Sequence, residues 1–375
     1  MTAVLVRAVH GAADLRRFID LPYRLHRGDP TWVAPLRMDV RAILDRRRNP
    51  FFEHAEAEYY LAERDGAVVG RIAAIRNDAH GAFHPEERHV GFFGFFECVN
   101  DQAVADALFG TAVAWLRDRG LTTLRGPTSF STNDECGLLV DGFDTPPAIM
   151  NPHNPRYYVD LVDRAGFVKA MDLVCYEGHD VDGPPARLTD GARLMARRKG
   201  VTVRTLDMRH FWEEVELVKR LYNAAWEKNW GFIPMTDAEL TYLAKQLKPV
   251  VVPELVVFAE RQGQLIGMAI TIPDFNVALK HNPSGRLFPF GLFRLLWHKR
   301  RIRRVRGLTL GVLKEHRQTG ADAVLLEHTW RVGRALGYDW GEASWLLETN
   351  YAIRNPMDKL GFRAYKTMRI YDKAL

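Results

Sequence analysis

The chain has 375 residues, 47% of them apolar and 26% charged, with a formal net charge of +6. That length is enough for two domains with cores of their own, and the composition excludes collagen-like, low-complexity and disordered classes. The nearest approach to a membrane span, Leu287 to Trp297, is about half the roughly 20 residues needed and contains Arg294. The N-terminus lacks a charged segment followed by a long apolar run, so no signal peptide is expected. Cys98, Cys136 and Cys175 are odd in number and far apart, which suits a reducing cytoplasm and offers no disulfide framework. The thirteen histidines do not fall at metal-ligand spacings, and no metal is expected.

In chain order, a strand is predicted near Val4 to Val9, then helices over Asp14 to His26 and Met38 to Arg48. "LAERDGAVVGRIAAI" (Leu61 to Ile75) reads as a β-hairpin, with Asp65-Gly66 supplying the positive φ of a tight turn. "HVGFFGFFECV" is an apolar strand. Val104, Leu108, Ala112, Trp115 and Leu116 mark an amphipathic helix over Ala103 to Arg119, stopped by Gly120. A strand at Thr122 to Gly126, a long loop, a helix over Arg156 to Arg164 and a strand around Ala170 to Tyr176 follow. "GHDVDGPPARLTDG" reads as a linker. The remainder repeats the order: strand 201–206, helices 211–226 and 237–248, a hairpin, an insertion, strand "RVRGLTLGVL", helix 321–336, strand "DWGEASWLLE", a helix from Asn350, and a closing strand "KTMRIYDK".

The repetition extends to residues. "FAERQGQLIGMAITI" (Phe258 to Ile272) matches the first hairpin at an offset of 259 − 62 = 197. "DRAGFVKAMDLVCY" matches "DKLGFRAYKTMRIY" at 361 − 166 = 195. Two matches at nearly one offset imply a duplicated domain. The expected division is residues 1–180, a linker 181–200, and residues 201–375. Strands alternating with helices argue for an α/β fold.

This order of elements resembles the GCN5-related N-acetyltransferase superfamily in tandem form, over nearly the whole chain. "LGVLKEHRQTGADAVLLEH" is similar to that superfamily's pyrophosphate loop and following helix. "ETNYAIRNPMDKLGFRAYKTMRIY" is similar to its closing segment. The resemblance implies two domains, each a mixed, mostly antiparallel sheet flanked by helices. It implies N-acetyl transfer from acetyl-CoA to a small-molecule or peptide amine, directly and without a metal. It places the coenzyme against Leu310, Val312 and Leu313, the loop residues Arg317, Gln318, Thr319, Gly320, Ala321 and Asp322, and Asn350.

The loop also argues for itself. A strand ends at Leu313, basic residues follow, and a helix starts directly after Thr319-Gly320. Backbone N–H groups at a helix start lack intrahelical partners and carry partial positive charge, so they suit phosphate, and glycine permits close approach. Asp322 stands where the superfamily pattern has a small residue, and it is expected to point away. The matching loop of the first half, "ECVNDQAV", has no glycine or basic residue and is acidic through Glu97 and Asp101. The first half is therefore expected to be a degenerate copy. Its long insertion, 126–158, is read as a wall of the acceptor site, with Asn133, Glu135, Asn151, Tyr157 and Tyr158 as substrate-binding candidates reaching toward Glu342 and Asn350.

Acyl transfer to an amine requires positioning, removal of a proton from the amine and donors for an oxyanion. Val312 and Leu313 offer backbone donors. Period-two alternation puts Trp340, Glu342 and Ser344 on one face of a strand, making Glu342, expected among apolar neighbours, a candidate base. The superfamily's tyrosine acid falls at Met357, so Tyr351 is the nearest alternative. The insertion 286–306 has an apolar stripe (Phe288, Phe290, Leu292, Phe293, Leu296, Trp297) followed by six basic residues between Lys299 and Arg306. It reads either as a surface for an acidic partner, anionic membrane or nucleic acid, or as a packing helix with a solvated basic end. The apolar surface from Phe288 to Trp297 is expected to be buried between or beside the two halves. An inactive tandem binding protein and a nucleic-acid-binding module are the rival functions, although no RNA motif or recognition-helix pattern is present. Nucleotide P-loop, dinucleotide, serine-hydrolase and zinc-protease motifs are absent.

Overall fold

The computed structural model of the protein describes residues 3–180, 182–227 and 229–375. In chain order the elements are β1 (Leu5–Ala8), α1 (Gly11–Leu25), α2 (Arg37–Ile43), β2 (Ala55–Arg64), β3 (Ala67–Asn77), α3 (Asp78–Phe83), β4 (Val90–Cys98), α4 (Gln102–Arg117), β5 (Thr123–Gly126), β6 (Leu138–Asp141), α5 (Tyr157–Arg164) and β7 (Val168–His179). There follow α6 (Ala186–Lys199), β8 (Val201–Thr205), α7 (Phe211–Trp226), α8 (Asp237–Leu247), β9 (Val256–Arg261), β10 (Gln264–Pro273), α9 (Asn276–Leu279), α10 (Gly291–Lys299), β11 (Arg304–Val312), α11 (Ala321–Ala335), β12 (Trp340–Leu347), α12 (Tyr351–Lys359) and β13 (Arg363–Ala374).

The residues form two compact units. The first comprises Met1–Leu173, Ala278–Trp297 and Lys366–Leu375, and the second Val174–Val277 and His298–Tyr365. In the first unit the strand order is β1-β2-β3-β4-β5-β13. All neighbours are antiparallel except β4 and β5. In the second unit β8-β9-β10-β11-β12 repeats the scheme, with β11 and β12 the parallel pair.

The duplicated hairpin is duplicated in backbone angle too. Asp65 and Gly66 have φ of 52° and 76°, and Gln262 and Gly263 have 53° and 76°. Two successive left-handed residues give the turn whose twist matches that of paired strands. Each sheet is covered on both faces because alternate strand residues point to opposite sides. Ile72 and Ala74 of β3 pack with Leu108 and Ala112 of α4, while Ala73 and Ile75 pack with Phe18 of α1. In the second unit Val257 and Ala259 pack with Val324 and Leu325 of α11, and Val256 and Phe258 with Phe211 and Val215 of α7.

Three features differ from the sequence expectations. The span read as a linker contains α6, begun at Pro185 and closed by Gly200 in the left-handed region, with Leu188 and Ala192 buried. The long loop of the first half contains the four-residue β6, which pairs β13. The apolar side of the 286–306 insertion is not buried. Phe288, Phe290, Leu292, Phe293, Leu296 and Trp297 are 41–74% exposed. The helix α10 carries apolar residues nearly all round, so packing one side leaves the rest outside. No helix among the described residues is long and apolar enough to cross a membrane.

Candidate active site

In the second unit, β11 is bulged. Ile270 faces Thr309 but Thr271 faces Gly307, so Leu308 is the extra residue. The parallel register of β11 with β12 runs from Arg304–Trp340 to Gly307–Ala343 and ends there, while β11 continues to Val312. Strands that part at a bulge leave backbone groups without a ladder partner on that side. Leu310, Val312 and Leu313 lie on this stretch and just past it.

The chain then makes a tight turn over Lys314–Thr319, and Gly320 takes φ of 73° before α11 begins at Ala321. Gly320 at the N-cap brings no side chain, and Thr319 Oγ1 accepts from the Ala321 N–H at 3.4 Å, the first N–H of α11. A Cβ on Gly320 would meet Met195 of α6 at 2.6 Å, so only glycine fits without displacing that side chain. Arg317 and Gln318 are exposed, Thr319 and Ala321 are buried, and Asp322 is exposed on the first helical turn. The Arg317 guanidinium donates to the Ala225 carbonyl at 3.2 Å. Asn350 is the residue before α12 and makes no capping bond, and Tyr351 beside it is 62% exposed.

The first unit fills the corresponding place with its own acid. Asp101 precedes α4, and its carboxylate accepts from the Ala103 N–H at 2.9 Å and from Arg64 at 2.7 Å. A helix start that already holds a carboxylate is a poor phosphate cradle.

Glu342 shares one face of β12 with Trp340 and Ser344, all three buried. Its neighbours are polar, not apolar as the sequence suggested. Ser344 and Tyr365 both donate to its carboxylate, and Arg306 Nε stands 3.7 Å away. Burial, and then the adjacent carboxylate, push the Tyr365 phenol far above its ordinary range. Glu342 is thus a buried carboxylate held by two hydroxyls and a guanidinium.

The substrate-side candidates belong to the first unit. The Thr128–Cys136 bridge closes a turn in which Asn133 N–H donates to Ser131 Oγ, and Glu135 is exposed. Asn151 is buried. Tyr157 donates to the Cys98 carbonyl at 2.7 Å, and Tyr158 donates to Glu97 and accepts from the Cys98 N–H. The two tyrosines therefore tie α5 to the end of β4.

That tie leads to a group of residues the sequence did not single out. His26 Nε2 lies 2.9 Å from Glu97, and Arg71 3.6 Å from the same carboxylate. His153 Nε2 lies 2.9 Å from Asp29, which also accepts from Thr31. The imidazole rings are 6.2 Å apart, and His26 stacks on Trp32 at 5.1 Å. Burial raises the Glu97 carboxyl, but His26, Arg71 and Tyr158 outweigh it and hold the group ionised. Burial, with the nearby His26 and Lys366, lowers the His153 imidazole despite Asp29, which raises it. The Nδ1 atoms of both histidines are buried with no hydrogen-bond partner. An unsatisfied buried polar atom costs about 1–3 kcal/mol. Among the described residues, no group of three or more His, Cys, Asp or Glu side chains is arranged to hold a metal ion.

Two units with the same strand scheme, one with a helix started by Thr319-Gly320 and one with its helix start held by the Asp101 carboxylate, define a tandem protein of the GCN5-related N-acetyltransferase fold. A solved tandem protein of this fold from the clavulanic acid biosynthesis pathway matches 100% of this chain and 98% of its own at 14% identity, with a TM-score of 0.56. No family model matches the chain. It is 39% identical over 372 residues to the bacterial ceramide synthase of Caulobacter vibrioides (strain NA1000 / CB15N), covering 97% of this chain and 95% of that one. It is 33% identical over 380 residues to protein YghO of Escherichia coli (strain K12), covering 99% and 95%. The chain belongs to the family of these two proteins.

Proposed function

We propose that the protein is an acyl-CoA-dependent N-acyltransferase that joins a long acyl chain to the amine of a long-chain amino alcohol, giving a ceramide-type amide. The observation that carries this is the 39% identity, sustained across almost the full length of both chains, to a protein named bacterial ceramide synthase. The acetyl group and small amine expected from the sequence give way in this reading to a longer acyl group and a lipidic acceptor. The exposed aromatic run of α10 and its basic flank support it, since a lipidic acceptor is met at a membrane surface.

The acyl-CoA is assigned to the second unit. Leu310, Val312 and Leu313 would face the pantetheine, and the N–H groups from Arg317 to Asp322 would face the pyrophosphate. The start of α11, where a hydroxyl and not a carboxylate accepts from the first N–H, fits an anion better than the Asp101-filled start of α4. Asn350 is retained as a coenzyme contact. Glu342 is assigned to positioning, because hydroxyl donors already occupy its carboxylate, and Tyr351 remains a candidate proton donor.

The test is turnover by the purified protein with a long-chain amino alcohol and CoA thioesters ranging from acetyl to stearoyl. Thiol release and the mass of the amide are followed together. Long thioesters should turn over at least about tenfold faster than acetyl-CoA, because each buried methylene adds about 0.8 kcal/mol of binding. A preference for acetyl-CoA, or thiol release that ignores the amine, would refute the reading. Calorimetry should find one CoA site per chain. Arg317→Ala should weaken it by about 1–3 kcal/mol, as expected for a charge-assisted contact. Two equivalent sites would overturn the assignment to one unit.

A further inference from the structure

A cavity of about 440 Å³ in the first unit lies where the insertion after β10 meets the end of α1 and the loop behind it. Tyr23, Arg27, Asp29 and Trp32 line it from one side, and Lys280 and Ser284 from the other. The two sides are pinned together. The Arg37 N–H donates to the Gly285 carbonyl at 2.9 Å, and the Arg37 guanidinium to the Ser284 carbonyl at 2.8 Å.

The charges still unspent at this place decide what it attracts. The Asp29 carboxylate is committed: it accepts from Thr31 Oγ1 at 2.6 Å and faces His153 Nε2 at 2.9 Å. Arg27 and Lys280 are exposed, and among the described residues neither side chain has a hydrogen bond or an ion pair. Two free cations at one mouth attract an anion with more than one acceptor oxygen, and a phosphodiester offers two such oxygens on one negative charge. Tyr23 and Trp32, packed edge to face at 5.4 Å, present carbon surface beside that charge. The insertion indicates the source of the anion. Phe288 stands four residues after Ser284, is 74% exposed, and begins the exposed apolar run that ends at Trp297. Four residues span at most about 14 Å. When that run enters a lipid surface, the mouth of the cavity comes within reach of the head-group layer.

We propose that this cavity is a site for the head group of an anionic phospholipid, in which the Arg27 guanidinium and the Lys280 ammonium hold the phosphate and the Tyr23 and Trp32 rings meet the glycerol carbons. Charge makes the selection: a zwitterionic head group brings a cation of its own, which Arg27 and Lys280 repel. The contact is separate from the apolar insertion of α10 and does not rest on the acyl-transfer reaction.

The test is calorimetry on the full chain with dihexanoyl phosphatidylglycerol kept below its micelle concentration, so that no bilayer is present. Dihexanoyl phosphatidylcholine and inorganic phosphate are the comparison probes. The wild type should bind phosphatidylglycerol at least about tenfold more tightly than either, the factor that one charge-assisted contact supplies. The double variant Arg27→Ala, Lys280→Ala removes two exposed, unpaired side chains, so it should keep the melting temperature and lose the preference over phosphatidylcholine. The double variant Arg197→Ala, Arg198→Ala takes the same charge from the exposed end of α6 and should retain the preference. Equal binding of the two lipids by the wild type overturns the proposal. So does a preference that survives in the folded Arg27 and Lys280 variant, or one that the α6 variant loses to the same extent. Inorganic phosphate bound as tightly as phosphatidylglycerol makes this a site for free phosphate and overturns the lipid assignment. The wild-type comparisons decide without any variant, so a variant that fails to fold leaves the test intact.

Discussion

Replacing Phe293 and Trp297 together by serine should reduce binding to anionic lipid vesicles at least tenfold without lowering the melting temperature. The two rings lie one turn apart on α10, 6.1 Å between centroids, and are 67% and 54% exposed. Residues this exposed contribute little to folding, so their loss should not unfold the chain. Full burial of one such side chain is worth about 1.5–3 kcal/mol, and partial burial at an interface less. Losing two should cost about 2–4 kcal/mol, well over tenfold. The flank supplies charge through Arg294, Lys299 and Arg300, all exposed, each worth about 1 kcal/mol near an anionic surface. Wild-type protein should therefore co-sediment with phosphatidylglycerol vesicles, weakly with phosphatidylcholine alone, and less as salt rises. Wild-type protein left in the supernatant of anionic vesicles would end the idea, as would a double variant that sediments unchanged.

Much of this molecule is legible in its amino-acid sequence. The hairpin turns are local: two residues must take positive φ, and Asp65-Gly66 and Gln262-Gly263 do so. Helix α4 announces itself by apolar spacing. The strand β6 does not, because four residues among glycine, asparagine and proline carry no period long enough to read. Helix α6 is hidden by Pro184, Pro185 and Gly191, although only Gly191 lies within the helix. The exposure of α10 is out of reach, since an apolar stripe has the same letters whether it meets protein or solvent.

The candidate site divides the same way. The loop from Val312 to Asp322 is contiguous, so its glycine, its basic residues and its helix start can be read together. The histidine–carboxylate pairs join residues 71 and 124 positions apart. No spacing rule links His26 to Glu97 or His153 to Asp29. Only Glu97 leaves a trace, as one acid in a loop that looks unfit for phosphate. Tyr157 and Tyr158 stand out by residue type, but their hydroxyls are spent on the end of β4 and on Glu97.

Glu342→Ala should destabilise the protein by about 3–5 kcal/mol, and Glu342→Gln by less, through the volume and the one hydroxyl contact it keeps. The carboxylate is 3% exposed and accepts from Ser344 and Tyr365, with Arg306, itself 4% exposed, at 3.7 Å. Removing one member of a buried ionic pair leaves the other desolvated without that countercharge, and the penalty exceeds the worth of the pair itself. Truncation to alanine also takes the acceptor from two buried hydroxyls, each left with a desolvation cost of its own. Glutamine keeps nearly the same volume and an acceptor oxygen for one hydroxyl, but it too removes the countercharge of Arg306, so it is costly as well and falls short of alanine only by the contacts it retains. Denaturant melts of the three proteins measure this directly. The same pair of variants separates positioning from proton transfer. A base at this place would make Glu342→Gln nearly inactive while still folded. A carboxylate that only holds Tyr365 and Arg306 in place would leave Glu342→Gln substantially active, with the loss concentrated in Glu342→Ala. If Glu342→Gln folds normally and turnover falls by a thousandfold or more, the positioning role is wrong and the proton-acceptor role read from the alternation of β12 is restored.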